Sequence, residues 1–167
     1  MSMTLDSLEK LYIHELKDLY SAENQILEAL PAMIQSASDS GLVAALEHHR
    51  QETLKHVDRL ERIFEGLEFE PGGHKCAGME GLLGEGESVL EDTSDPSVRD
   101  AAIISGAQRV EHYEIAGYGT ARAYAEKLGF YRAADLLQKS LNEEAVADQT
   151  LSRLAERSIN FEAMTAG

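Results

Sequence analysis

The sequence predicts an all-α fold, a four-helix bundle with one long crossover. Three observations carry this. Four long segments repeat apolar residues at three- and four-residue steps, and none shows a convincing period of two. Only three prolines interrupt the chain. The connections between segments one and two and between three and four are short, while the middle one is long, so each short-linked pair is antiparallel.

The first helix is expected over about 6–38. Asp6 stands as its N-cap with Glu9 three residues on, the capping-box arrangement. Leu8, Leu11, Leu16, Leu19, Ile26, Leu30 and Met33 mark its inner face, and Pro31 is expected to kink it rather than end it. The second helix, about 41–67, is marked by Ala45, Leu46, Leu60, Ile63 and Phe64 and is broken by "EPGGHK". The third, about 96–128, opens with Asp95 as cap and Pro96 at its first position, and stops at Gly129. The fourth, about 131–159, turns Leu136, Leu137, Leu141, Leu151 and Leu154 inward, and the tail "FEAMTAG" is expected to fray. The crossover, about 68–95, carries a short glycine-rich helix marked by Met79, Leu82, Leu83, Val89 and Leu90. Residues 1–167 read as one domain, and the long crossover is the layout of ferritin-like folds.

Composition excludes several function classes. The net charge is -15 and the pI about 4.7, a field that repels nucleic acid and anionic membrane surfaces and favours cations. The single cysteine, Cys76, leaves no internal disulfide and no Cys-rich metal centre, and fits a reducing compartment. No run reaches the roughly 18 apolar residues of a membrane span. "MSMTLDSLEK" lacks the basic and apolar regions of a signal peptide, so the cytoplasm is expected. No nucleophile elbow, phosphate loop or dinucleotide fingerprint occurs.

The inward faces nevertheless contain polar residues. Glu23 interrupts the apolar row of the first helix. His49, Glu52 and His56 follow one another on the second, Glu111 and Glu114 share a face of the third, and Glu144 and Asp148 share one on the fourth. Counted from the turns at Asp39–Ser40 and Gly129–Phe130, Glu23, His56, Glu111, Glu114, Glu144 and Asp148 lie about 15 to 18 residues away, which at roughly 1.5 Å per residue places them in one layer. Burying one unpaired carboxylate costs several kcal/mol, and neighbours add repulsion. Two divalent cations would neutralise four carboxylates, and carboxylate with imidazole suits iron, manganese or zinc. Taken singly, each acid also fits an exposed helix face. His14, His48, His74 and His112 read as surface residues, Arg59 and Arg62 as a solvated face beside Glu61, and Tyr20, Tyr118 and Tyr124 as packing residues with a bonded hydroxyl.

The stretches "ELKDLYSAENQILEALP", "HRQETLKHVDRLERIFE", "KCAGMEGLLGEGESVLE", "DAAIISGAQRVEHYEIAGYGT" and "LNEEAVADQTLSRLAE" resemble the bacterial YciF-like (YciE/YciF) stress-protein family of the ferritin-like superfamily, from about Leu5 to Arg157. The resemblance implies a rubrerythrin-like bundle, a homodimer, and a dinuclear metal site. Its ligands would be Glu23 on the first helix, Glu52 with His56 or His49 on the second, Glu111 and Glu114 on the third, and Glu144 and Asp148 on the fourth. Two departures stand out. Glu52 and His56 are four apart where three is usual, and Asp148 stands where a histidine is expected. The implied function is a di-metal stress-response protein, iron first and manganese or zinc as alternatives, that reacts with oxygen or peroxide. One cysteine cannot supply a Cys-ligated iron module, so any reductant would come from an external electron donor. The alternatives are a non-catalytic scaffold bundle with a vestigial site and a subunit of an iron-storage cage.

Overall fold

The computed structural model describes residues 4–166 and shows the expected bundle. Helix α1 spans Leu8–Ser36 and α2 spans Ser40–Leu67. Helix α3, Ala77–Glu91, lies in the crossover. Helix α4 spans Pro96–Leu128 and α5 spans Tyr131–Leu154. Around the bundle α1 neighbours α2 and α4, and α5 neighbours both α2 and α4.

The caps follow local chemistry, with one correction. Ser7, not Asp6, caps α1: its Oγ accepts from Lys10 N at 3.2 Å, while Asp6 pairs with the Lys10 ammonium at 2.7 Å. A hydroxyl one residue closer to the first turn takes the amide that the carboxylate was expected to take. Pro31 lies inside α1, which continues past it. Asp39 caps α2 and Asp95 caps α4, with Pro96 in the first turn. Gly129 ends α4 at φ 81°, a left-handed conformation that costs glycine no Cβ clash. Asp100, almost fully buried, accepts from the amides of Ser38 and Asp39 at 2.8 Å each, which ties the α1–α2 turn to α4.

The tail does not fray at once. After α5 a π-helical turn, Ala155–Ile159, leads into a short helix α6, Asn160–Thr165, that packs on α4. Ile159 is buried, and the wider turn keeps Leu151, Ala155 and Ile159 inward at four-residue steps. Gly167 lies outside the described residues, as do Met1 to Met3.

The crossover is pinned by one carboxylate. Asp18 Oδ2 on α1 accepts from the Tyr113 hydroxyl at 2.6 Å and the Cys76 thiol at 3.1 Å, and Asp18 Oδ1 lies 2.9 Å from His74 Nε2. Ser21 Oγ accepts from Cys76 N, and Gln25 donates to Cys76 O. His74 and His14, expected on the surface, are half-buried and pack ring to ring at 4.9 Å. Gly78 leaves room for the Tyr113 ring, since a Cβ there would stand 2.7 Å from Tyr113 Cε2.

The apolar interior is divided in two. One part gathers Ile26, Leu30, Leu42, Leu46, Met79, Ile103 and Leu151. The other gathers Tyr12, Leu16, Leu60, Phe64, Tyr118 and Leu137. Between them on every long helix comes the polar layer.

Candidate functional site

Helix periodicity sets the layer. On α1, Glu23 falls between Leu19 and Ile26. On α2, His49, Thr53 and His56 continue the stripe from Leu46 to Leu60, and on α4 Glu111 and Glu114 lie between Ala107 and Tyr118. Glu23, His56, Glu114 and Glu144 have no exposed surface, and Glu111 has 2%. Solvent cannot satisfy them, so their partners must come from the protein or from a ligand.

Two convergent groups result. Ligand atoms of His49, Glu111, Glu114 and Glu144 all lie within 4.8 Å of one another, and so do those of Glu23, His56 and Glu144. Glu144 belongs to both. Glu52 and Asp148, also read as ligands from the sequence, are not in either group. Glu52 Oε1 lies 3.1 Å from Nε2 of the exposed His48, and Asp148 Oδ1 accepts from Gln108 at 3.1 Å near His112. Asp148 rims the layer from outside, while Glu52 is buried and lines a cavity together with His49 and Glu111.

The Glu23 group is paired in part: Glu23 Oε2 and both Glu144 oxygens are buried without a hydrogen-bond partner. His56 Nδ1 points at Glu23 Oε1, 3.0 Å away, and Glu144 Oε1 is 2.9 Å off the same nitrogen but outside hydrogen-bond alignment. The Tyr118 hydroxyl donates to Glu23 Oε1. On the other side of the ring, Nε2 meets Glu143 Oε2 at 2.8 Å. Burial would lower the His56 pKa, but the charge and bond of Glu23 and the adjacent Glu144 carboxylate outweigh it and raise it to about 11. Glu143 in turn accepts from Arg59, whose Nη2 is 2.9 Å from Oε1. Arg59 is thus not the solvated residue expected from the sequence: its side chain is 14% exposed and also donates to Ser140 Oγ.

The His49 group has fewer internal bonds. Both oxygens of Glu114, Glu111 Oε2 and His49 Nδ1 are buried without a hydrogen-bond partner. His49 Nε2 lies 3.3 Å from Glu111 Oε1. Burial, with the charges of Glu144 and Glu23, pushes the Glu114 carboxyl well above its ordinary range, and burial with Glu144 does the same to Glu111. Glu144 is held below the ordinary range against the effect of burial, by the neighbouring Glu111 and His56 side chains and by the histidine charges. A cavity of about 40 Å³ between α2 and α5, lined by Ala45, Leu46, Val146 and Leu151, reaches His49, Glu52 and Glu111.

Glu143 and Arg59 were missed as parts of the layer. A signal was present: Arg59 follows His56 by three residues on α2, so a cation and an imidazole share a face and call for an anion opposite.

The chain is similar to known proteins over nearly its whole length. It is 41% identical over 162 residues to protein YciF of Escherichia coli strain K12, covering 96% of this chain and 98% of that protein. The crystal structure of the E. coli stress protein YciF superposes with a TM-score of 0.89 at 41% identity, over 93% of this chain and 99% of that one. YcfI from Rhodopseudomonas palustris gives 0.88 at 41%, over 91% and 97%. A two-domain protein from Anabaena variabilis with DJ-1/ThiJ/PfpI-like and ferritin-like domains gives 0.58 at 16% identity, covering 93% of this chain and 38% of that one, which shows the shared fold alone. The family model described as Domain of unknown function DUF892 matches residues 7–164. The chain, an all-α ferritin-like bundle, belongs to the DUF892 family.

Proposed function

We propose that this chain is a ferritin-like stress-response protein that binds two divalent metal ions in its polar layer, iron first, with manganese or zinc as alternatives. The observation that carries the reading is Glu114, which has no exposed surface and no donor to either oxygen. An unpaired buried carboxylate costs several kcal/mol, more when others adjoin it, and a cation relieves that cost directly. The donors fit such ions: carboxylate oxygens and imidazole nitrogens, no thiolate. His49, Glu111, Glu114 and Glu144 would hold one ion, and Glu23, His56 and Glu144 the other, with Glu52 and Asp148 able to join.

Bound iron would supply redox chemistry toward oxygen or peroxide, with electrons from an external donor. The protein's own part is to hold the acids in place, exclude bulk water, and keep Tyr118 bonded to Glu23. The reading includes a homodimer in the cytoplasm. No helix among the described residues is long and apolar enough to cross a membrane.

A second reading, a non-catalytic bundle with a vestigial site, draws on the internal pairing of His56 with Glu23 and Glu143. Metal analysis and thermal melting separate the outcomes. Fe(II) or Mn(II) should raise the melting temperature, since binding to the native state alone adds stability. The Glu114→Gln, Glu144→Gln double variant should lose both bound metal and that rise. Unchanged melting of the natural protein in excess metal would refute the site. Metal binding without oxygen consumption by the Fe(II)-loaded protein would favour the vestigial reading.

A further inference from the structure

The two halves of the layer are not equivalent. Apart from the two oxygens of the shared Glu144, which have no partner, the His49 half presents four unpartnered atoms, both Glu114 oxygens, Glu111 Oε2 and His49 Nδ1, and the Glu23 half presents one, Glu23 Oε2. In the Glu23 half, His56 Nδ1 and Glu23 Oε1 are bonded to each other, Tyr118 adds a second donor to that oxygen, and the imidazole is held from behind by Glu143 and Arg59. The cavity between α2 and α5 opens on His49 and Glu111, not on Glu23 or His56. Its volume of about 40 Å³ admits water-sized species.

We propose that the layer loads in order: the first divalent cation enters between α2 and α5 and binds His49, Glu111, Glu114 and Glu144, and the Glu23–His56 half takes an ion only after its internal hydrogen bonds open. This rests on the metal-binding reading above. The first ion meets several unpartnered ligand atoms and breaks only the 3.3 Å contact of His49 Nε2 with Glu111 Oε1. The second must displace a hydrogen bond between two ligands and turn a ring held on both edges. Thr53, fully buried between His49 and His56 on the same stripe, has a hydroxyl that donates to its own helix at His49 O. Glu144 alone is common to both. Outer partners of ligands commonly shift metal affinity by about 10- to 100-fold, which sets the expected gap between the two steps.

The test is calorimetric titration of the full chain with Mn(II), repeated with Fe(II) without oxygen, alongside circular dichroism to confirm folding. The natural protein should show one tight step and a second weaker by about tenfold or more. Glu114→Gln and His49→Ala should each remove the tight step, while Glu23→Gln should keep it. Two equal steps, or a tight step lost in Glu23→Gln and kept in Glu114→Gln, would overturn the order while leaving metal binding intact. No binding of either ion to the natural protein would overturn the metal reading itself, and the order with it.

Discussion

His56 Nε2 and Glu143 Oε2 stand 2.8 Å apart, and the same carboxylate receives both terminal nitrogens of Arg59. The three groups form a chain from the surface of the bundle to its centre. Glu143→Ala leaves a fully buried imidazole and a mostly buried guanidinium without their shared anion. The expected loss is about 3 kcal/mol in urea denaturation. Arg59→Ala should cost less, and the double variant should cost less than the sum, because both act through one carboxylate.

Glu114 illustrates a conflict between stability and binding. Filling its place with an apolar side chain of similar volume removes a buried acid that nothing in the protein satisfies. Glu114→Leu should therefore make the metal-free protein more stable, by about 1 kcal/mol or more, and should abolish any stabilisation by Fe(II) or Mn(II). A thermal melt of each form with and without metal reads both effects.

The pH dependence of the metal-free protein follows from three displaced groups. Glu111 and Glu114 titrate above their ordinary value of 4.5, and His56 is raised from 6.5 to about 11. A raised group binds more protons in the native state than in the unfolded one, so its contribution is full below the unfolded value and is lost as pH rises through the folded one. For His56 that window runs from 6.5 to about 11. Denaturation midpoints should fall between neutral and alkaline pH, and His56→Gln should flatten the slope. A midpoint that climbs through that window would contradict the pairing.

The crossover should depend on Asp18. Three donors reach its carboxylate, from Tyr113, Cys76 and His74. Burial opposes the ionised form, but those three bonds hold the Asp18 pKa below its ordinary 3.8. Asp18→Ala should lower stability by about 2 kcal/mol. Gly78→Ala should also destabilise, by about 1 to 3 kcal/mol, by pressing on Tyr113. Hydrogen exchange should show the loss first in α3 rather than in α4.

Much of the architecture was legible because long amphipathic helices repeat their signal over many residues. The polar stripe Glu23, His56, Glu111, Glu114 and Glu144 was readable for the same reason: each interrupts an apolar row whose phase is already fixed. Glu143 was not, because it is one residue off that row and its inward turn depends on Arg59 from another helix. Glu52 and Asp148 lie on the stripe by spacing, yet their carboxylates are engaged by neighbours outside the two groups, Glu52 by the exposed His48 and Asp148 by the half-buried Gln108 beside His112. The Ser7 cap was missed because Asp6 and Ser7 are both good caps and only the backbone chooses between them. The π-helical turn had no local signature, since burying Ile159 is a tertiary gain.

Cys76 is the chain's one thiol, and it is sealed beneath the start of α3 with no exposed surface. A thiol-reactive dye reaches its sulfur only during moments when that segment lifts away from α1 and α4. The labelling rate therefore counts lift-off events in the unmodified molecule, a clock for local opening that no engineered probe need supply.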